Sequence, residues 1–338
     1  MTPTKQLSIA FQTDKRASEY IRLAKLVNEY EFDAVTVYCD LPFHPSFAPL
    51  MLMAPYITRA RLGIAAIPPS RIPPLDIAAQ AALLHDLVPG RLSVGIARGA
   101  WLEQHGIHED TPPIQAIREA VELVRYIWEG RTHGYNGQVY TLAPHVRAPY
   151  PLPEQRIPIL IGSWGQKLCA IGGELADEVK IGGSANPDVI PVIQQYISVG
   201  ERATQREEGS VGIVIGAVSV IDEDREAARA AARRAVALYL PVVAPLDPTV
   251  SIEPELVTRL QHHADRGDFD EGAKLVSDAM LEKFAFSGNP SDFIDHALRL
   301  FEAGASRVEF GTPHGLTMPD VGIRLLGEKV LGEVRRRL

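Results

Sequence analysis

The chain has 338 residues, 46% of them hydrophobic and 22% charged, with a formal net charge of −8 and a pI of about 5.7. That length is enough to bury a large core, and an acidic balance with no basic patch excludes a nucleic-acid backbone as the expected partner. No apolar run reaches membrane-spanning length, and the start "MTPTKQLSIAFQTDKR" has neither the apolar core nor the cleavage pattern of a signal peptide. A cytoplasmic protein without membrane contact is the expectation.

Eight short apolar runs read as strands: "LSIAF" (7–11), "AVTVY" (34–38), "RLGIAA" (61–66), "RLSVGIA" (91–97), "IPILIG" (157–162), "EVKIGG" (178–183), "VGIVIGAVSV" (211–220) and "SRVEFG" (306–311). They are continuous rather than alternating, the pattern of parallel strands covered on both faces. Helix-like stretches lie between them at 17–30, 74–88, 112–130, 166–177, 224–240, 290–304 and 318–338. In the first, Tyr20, Leu23, Ala24 and Val27 share one face. The stretches at 74 and 112 open on proline, as helix starts do. Arg335–Arg337 end the last helix, where positive charge suits the dipole.

Eight strands alternating with helices predict an α/β fold, a (β/α)8 TIM barrel, as one domain over 1–338. A doubly wound open sheet is the runner-up. Two segments exceed a minimal barrel: a Pro-rich loop at 131–156 and a mostly helical insertion at 241–288 before the last strand. Both are expected to cover the active-site end and shape its pocket.

A barrel builds its site at the C-terminal strand ends. Gly and Ser gather there: "GSWG" after the fifth strand, "GGSANP" after the sixth and "GTPHG" after the last. Such ends present backbone amides to an anion, ahead of a helix start. Each alone reads as plain turn chemistry; their convergence on one mouth favours an anion site. Asp40 ends the second strand, as a polar anchor or proton carrier, or as a turn residue, which the residues alone favour. Arg98 ends the fourth, to pair with a ligand anion or with a neighbouring acid. His105 and His108 lack a third metal ligand and read as a solvated loop, so no metal is expected. His262 and His263 read as surface residues, and Cys39 and Cys169 as buried free thiols. Lys180 is weighed as a Schiff-base lysine. With no acid partner visible, it reads instead as a strand residue reaching solvent or a phosphate.

Three segments carry a resemblance: "GIAAIPPSRIPPLDIAAQAALLHDLVPGRLSVGIARG" (63–99), "IPILIGSWGQKLCAIGGELADEVKIGG" (157–183) and "GDFDEGAKLVSDAMLEKFAFSGNPSDFIDHALRLFEAGASRVEFGTP" (267–313). Through them the chain resembles the bacterial-luciferase-like superfamily of flavin and deazaflavin oxidoreductases. The third segment points to the methylenetetrahydromethanopterin reductase branch, which uses coenzyme F420. The resemblance implies a bulge after the third strand, at Ala65, Ala66 and Ile67, with a non-prolyl cis peptide assigned to Ala65–Ala66. It places Asp40 near the ring, as the tentative catalytic residue, and Arg98–Gly99 beside it. It assigns Gly162, Ser163, Trp164 and Gly165 to the cofactor's phosphate tail, with Gly182, Gly183 and Ser184 nearby. It also implies a homodimer or larger assembly and a small-molecule substrate.

Two departures bear on the reaction. Many relatives carry Asp-His where this chain has Asp40-Leu41, and the deazaflavin-dependent sugar-phosphate dehydrogenases carry an acid where it has Ala100. The resemblance therefore implies hydride transfer from the deazaflavin C5 to an unsaturated carbon–nitrogen or carbon–carbon bond rather than alcohol oxidation. The rival readings are an FMN-dependent luciferase-like monooxygenase, a non-catalytic flavin-binding barrel and a lyase using Lys180.

Overall fold

The computed structural model describes residues 4–338; Met1–Pro3, the start of the N-terminal segment and of the 1–338 domain read above, lie outside the described residues. The strands are β1 (Gln6–Phe11), β2 (Ala34–Val37), β3 (Arg61–Ile67), β4 (Leu92–Ala97), β5 (Tyr135–Asn136), β6 (Thr141–Leu142), β7 (Ile159–Gly162), β8 (Glu178–Gly182), β9 (Gly212–Ile221), β10 (Ala285–Gly288) and β11 (Arg307–His314). β1, β2, β3, β4, β7, β8, β9 and β11 pair in parallel in that order, and β11 returns to β1. The sheet is therefore a closed eight-stranded barrel, and the open doubly wound alternative is excluded.

The helices are α1 (Ala17–Val27), α2 (Phe47–Met53), α3 (Pro74–Leu87), α4 (Pro113–Trp128), α5 (Gln166–Leu175), α6 (Val189–Ala203), α7 (Arg225–Val243), α8 (Pro254–Arg266), α9 (Phe269–Ala273), α10 (Asp278–Phe284), α11 (Pro290–Glu302), α12 (Pro319–Leu325) and α13 (Leu331–Arg337). Five of them begin with proline, whose missing N–H costs nothing at that position. α11 is further fixed by a reciprocal cap: Asn289 accepts from the Ser291 and Asp292 amides, and Asp292 accepts from the Asn289 amide. α2 and α6 were not among the helices read from the sequence. α6 buries Val189, Ile190, Ile193 and Ile197 on one helical face. The main core lies between strands and helices, from Leu7, Ile9 and Phe11 round to Val308 and Phe310.

Three expectations change. The 241–288 insertion is not helical throughout: Ala285–Gly288 form β10, which pairs with β9 at Val218–Ile221, beyond where β8 ends at Gly216. The insertion and α7 share a smaller core of their own, built on Val236, Leu240, Leu260, Leu281 and Phe284. The 131–156 segment is not at the active-site end. It follows a helix and precedes a strand, so it lies toward the N-terminal ends of the strands. There the β5–β6 hairpin is held by Glu119 of α4, which accepts from the Gln138, Val139 and Tyr140 amides. Finally, the strands are not apolar on both faces. Glu178 and Lys180 on β8, and Arg307 and Glu309 on β11, are buried at alternate positions.

Candidate active site

A cavity of about 1040 Å3 opens at the C-terminal ends of the barrel strands. Its floor and walls come from seven strand ends, so residues far apart in sequence meet there. Tyr38 and Asp40 follow β2, Ala65 and Ala66 belong to β3, and Arg98 to Trp101 follow β4. Gly162 to Leu168 span the turn from β7 into α5, Lys180, Gly182 and Gly183 come from β8, and Gly216 to Val218 from β9. Thr312 on β11 completes the ring. α7 closes one side with Val236, Tyr239, Leu240 and Val243, joined by Leu246 and Phe284 of the insertion. The rings of Trp101 and Tyr239 meet at 5.6 Å, bridging the loop after β4 to α7.

The β3 wall is irregular. The β3–β4 register shifts between Ile64 and Ile67, and the Ala65–Ala66 peptide is cis. Both alanines line the cavity, whereas Ile67 is fully buried, pairs with Ile96 and does not line it. Gly95 on β4 lets this bulge in: a Cβ there would sit 2.3 Å from the Ile64 carbonyl oxygen.

At the β7 turn, Ser163 Oγ accepts a 3.0 Å hydrogen bond from the Gly165 amide. Trp164 Nε1 donates to the Gly182 carbonyl at 3.2 Å, pinning the indole across the gap between β7 and β8. α5 then starts with no side-chain cap, and the amides of Gln166, Lys167 and Leu168 have no partner among the described residues. A Cβ on Gly182 would meet nothing within 4 Å, and one on Gly165 only Ser163 Oγ at 3.9 Å. Gly183 sits at φ +78° with Val243 Cγ1 2.8 Å from its absent Cβ, so glycine is needed there for the backbone. Ser184 is fully buried behind this wall, its Oγ accepting from the Asn186 amide, and it does not line the cavity.

The floor is polar. Gln12 Nε2 donates to Asp40 Oδ2 at 2.9 Å, and Arg71 holds the loop after β2 through the carbonyls of Cys39, Asp40 and Phe43. Burial raises the Asp40 pKa above the usual carboxylate range, against the opposing pull of Gln12, Lys180 and Arg71. Burial also pushes the Tyr239 hydroxyl up to about 12, with the Asp40 charge adding to it. Lys180 is not directed to solvent: it is buried and ion-paired with Glu309, an acid partner that the sequence reading did not find. Its Nζ lies 4.9 Å from the Tyr38 ring centroid. An amine engaged in a buried ion pair is a poor Schiff-base nucleophile. Burial alone would raise the Glu309 carboxyl, yet Lys180 and Arg307 outweigh it and hold it below the usual range.

The remaining candidates fall outside this chemistry. Arg98 lines the rim but pairs with Glu109 at 2.7 Å, the neighbouring-acid alternative. His105 and His108 are exposed, and no cluster among the described residues has metal-ligand geometry. His262 is exposed but His263 is half-buried, the two rings meeting at 5.9 Å rather than diverging. Cys39 and Cys169 are buried and free. No helix among the described residues is long and apolar enough to cross a membrane.

This arrangement has relatives. The chain is 28% identical, over 98% of its length and 100% of the relative's, to the 5,10-methylenetetrahydromethanopterin reductase of Archaeoglobus fulgidus. Its fold matches the structure of the coenzyme F420 dependent tetrahydromethanopterin reductase from Methanopyrus kandleri with a TM-score of 0.88 at 22% identity, covering 98% of this chain and 99% of that one. It matches an F420-dependent secondary alcohol dehydrogenase in complex with an F420-acetone adduct with a TM-score of 0.79 at 19% identity, again over 98% and 99%. Residues 1–307 match the sequence profile described as luciferase-like monooxygenase, and the chain belongs to that family.

Proposed function

We propose that the chain is an F420-dependent oxidoreductase of the methylenetetrahydromethanopterin reductase type, acting on a small organic acceptor. The observation that carries the reading is the coincidence of two results. The match to the Archaeoglobus fulgidus reductase runs through nearly the whole of both chains. The strand ends it includes converge on one cavity with an apolar wall and an open anion-binding end.

The residues fit such a cofactor. Ala65 and Ala66 offer a flat apolar backing for a planar ring. Gly165 and Gly182 leave space that any side chain would fill, and the uncapped start of α5 with Ser163 and Lys167 supplies donors for a phosphate. Bound F420 supplies hydride transfer at its C5 carbon, and the protein's share is binding, orientation and electrostatics. Asp40, oriented by the Gln12 hydrogen bond to its Oδ2, would hold or give up a proton at Oδ1, the oxygen left free. α7 and Phe284 wall the site from water, which strengthens every charge–dipole contact inside. Arg98–Gly99 border the ring, and Gly162, Trp164 and Gly183 shape the approach to the tail.

We read 1–338 as one barrel domain, cytoplasmic and assembled as a homodimer or larger, with Ile67 and Ser184 supporting the site from behind. The test is the absorbance spectrum and affinity of the purified protein with F420 against FMN. Tight F420 binding and reduction of an acceptor by reduced F420 are expected. Tight FMN binding with oxygen consumption and no response to F420 would establish the monooxygenase alternative instead.

A further inference from the structure

The barrel interior below the cavity carries a column of alternating charge. Arg61 donates to Glu178 at 2.6 Å, Arg307 donates to the same carboxylate at 2.9 Å, and Glu309 pairs with Lys180. Register explains how these side chains meet. β9 lies between β8 and β11, with Gly212 level with Glu178, and Gly216 level with Glu309. Neither glycine projects a side chain, so Arg307 reaches down to Glu178 and Lys180 reaches up to Glu309. A Cβ on Gly216 would lie 3.3 Å from both Glu309 and Lys180 Cε. Arg61 and Arg307 share Glu178, so the spare positive charge of the column lies at their end, and the Lys180–Glu309 pair closes the column at the cavity.

Lys180 lines the cavity, with Asp40 near enough to feel its charge. An ammonium has three N–H donors. Among the described residues Lys180 makes one hydrogen bond, to Glu309, and faces the Tyr38 ring with Nζ 4.9 Å from its centroid. A buried ammonium with donors left over is costly unless a ligand takes them. The other cations on the cavity, Arg98 and Lys167, are exposed at its rim, and Arg98 is already paired.

We propose that Lys180, anchored by Glu309, is the anion-recognising residue of the cavity floor and takes an oxygen bearing negative charge, on the cofactor ring or on the acceptor. The inference rests on the F420 reading for the identity of the ring but not for the anion site itself.

The test titrates F420, and separately acetate as a carboxylate probe with and without F420, into the full-length protein by calorimetry. The variants are Lys180→Met, Lys180→Arg and the double variant Lys180→Met/Glu309→Gln. The double variant leaves no unpaired buried carboxylate and keeps the test open where Lys180→Met alone fails to fold. F420 affinity about tenfold or more weaker in the double variant, and partly kept in Lys180→Arg, places the oxygen on the ring. Unchanged F420 affinity with acetate binding lost places it on the acceptor. Both affinities unchanged in the double variant overturn the proposal. Lys180-dependent acetate binding in a protein that ignores F420 upholds the anion site and overturns the F420 reading. Absence of both F420 and acetate binding in the wild type overturns both.

Discussion

Gln12 Nε2 donates a 2.9 Å hydrogen bond to Asp40 Oδ2, tying the end of β1 to the end of β2 on the cavity floor. The bond orients a carboxyl group whose pKa burial raises. Its charge therefore costs folding energy above the pH at which the folded carboxyl ionises. The cost shrinks as pH falls from that value to the ordinary 3.8 and is gone below it, where folded and unfolded chains are both protonated. Asp40→Asn is expected to be more stable than wild type at neutral pH by about 0.5–2 kcal/mol, with the gap closing in acid. Thermal melts at pH 7 and at pH 3.5 measure it. The same variant is expected to lose about 10²-fold in F420-dependent turnover; wild-type turnover would remove Asp40 from the proton chemistry.

Two adjacent glycines are expected to fail in opposite ways. Gly182→Val points into open cavity, so its melting temperature stays near wild type while F420 affinity drops about tenfold or more. Gly183→Ala forces a Cβ onto a positive φ and against Val243, costing about 1–2 kcal/mol of stability. Denaturant melts and F420 fluorescence titrations of both variants separate space from backbone.

The β7 turn is expected to recognise the phosphate rather than the ring. Ser163→Ala releases the Gly165 amide and removes a hydroxyl at the open start of α5. F420 binding is expected to weaken about tenfold, and binding of the same ring without its phosphate to stay as in wild type. Equal losses for both ligands would place Ser163 elsewhere in the site.

Beneath the site, Glu178 is the carboxylate to which the fully buried Arg307 donates. Glu178→Ala leaves that guanidinium in the barrel with no hydrogen-bonded partner, at an expected cost of about 3–5 kcal/mol. Chemical denaturation measures it, and a loss below about 1 kcal/mol would show that water or Glu309 compensates.

Element positions were legible because they rest on local signals. Apolar runs, proline at helix starts and glycine at strand ends place the eight barrel strands and the outer helices other than α2 and α6 to within a few residues. The resemblance added the Ala65–Ala66 cis bond, and eleven of the thirteen residues it assigned line the cavity, with Ile67 and Ser184 lying behind its walls. For the 131–156 loop, the position between a helix and a strand, not the proline content, sets the end of the barrel on which it lies. The interior charges left a trace that a count of apolar runs passes over: Glu-Val-Lys-Ile-Gly at 178–182 and Arg-Val-Glu-Phe-Gly at 307–311 are the same alternating pattern with the signs reversed.

By itself, then, the sequence determined the eight barrel strands and the outer helices other than α2 and α6, since each of these depends on neighbours a few positions away. It determined the barrel class too, since strand–helix alternation allows few arrangements. Only the tertiary structure decided that Lys180 belongs to Glu309, 129 residues further along. That pairing requires β8 and β11 to flank β9 with Gly216 opposite Glu309, a matter of closure and register that no local pattern records.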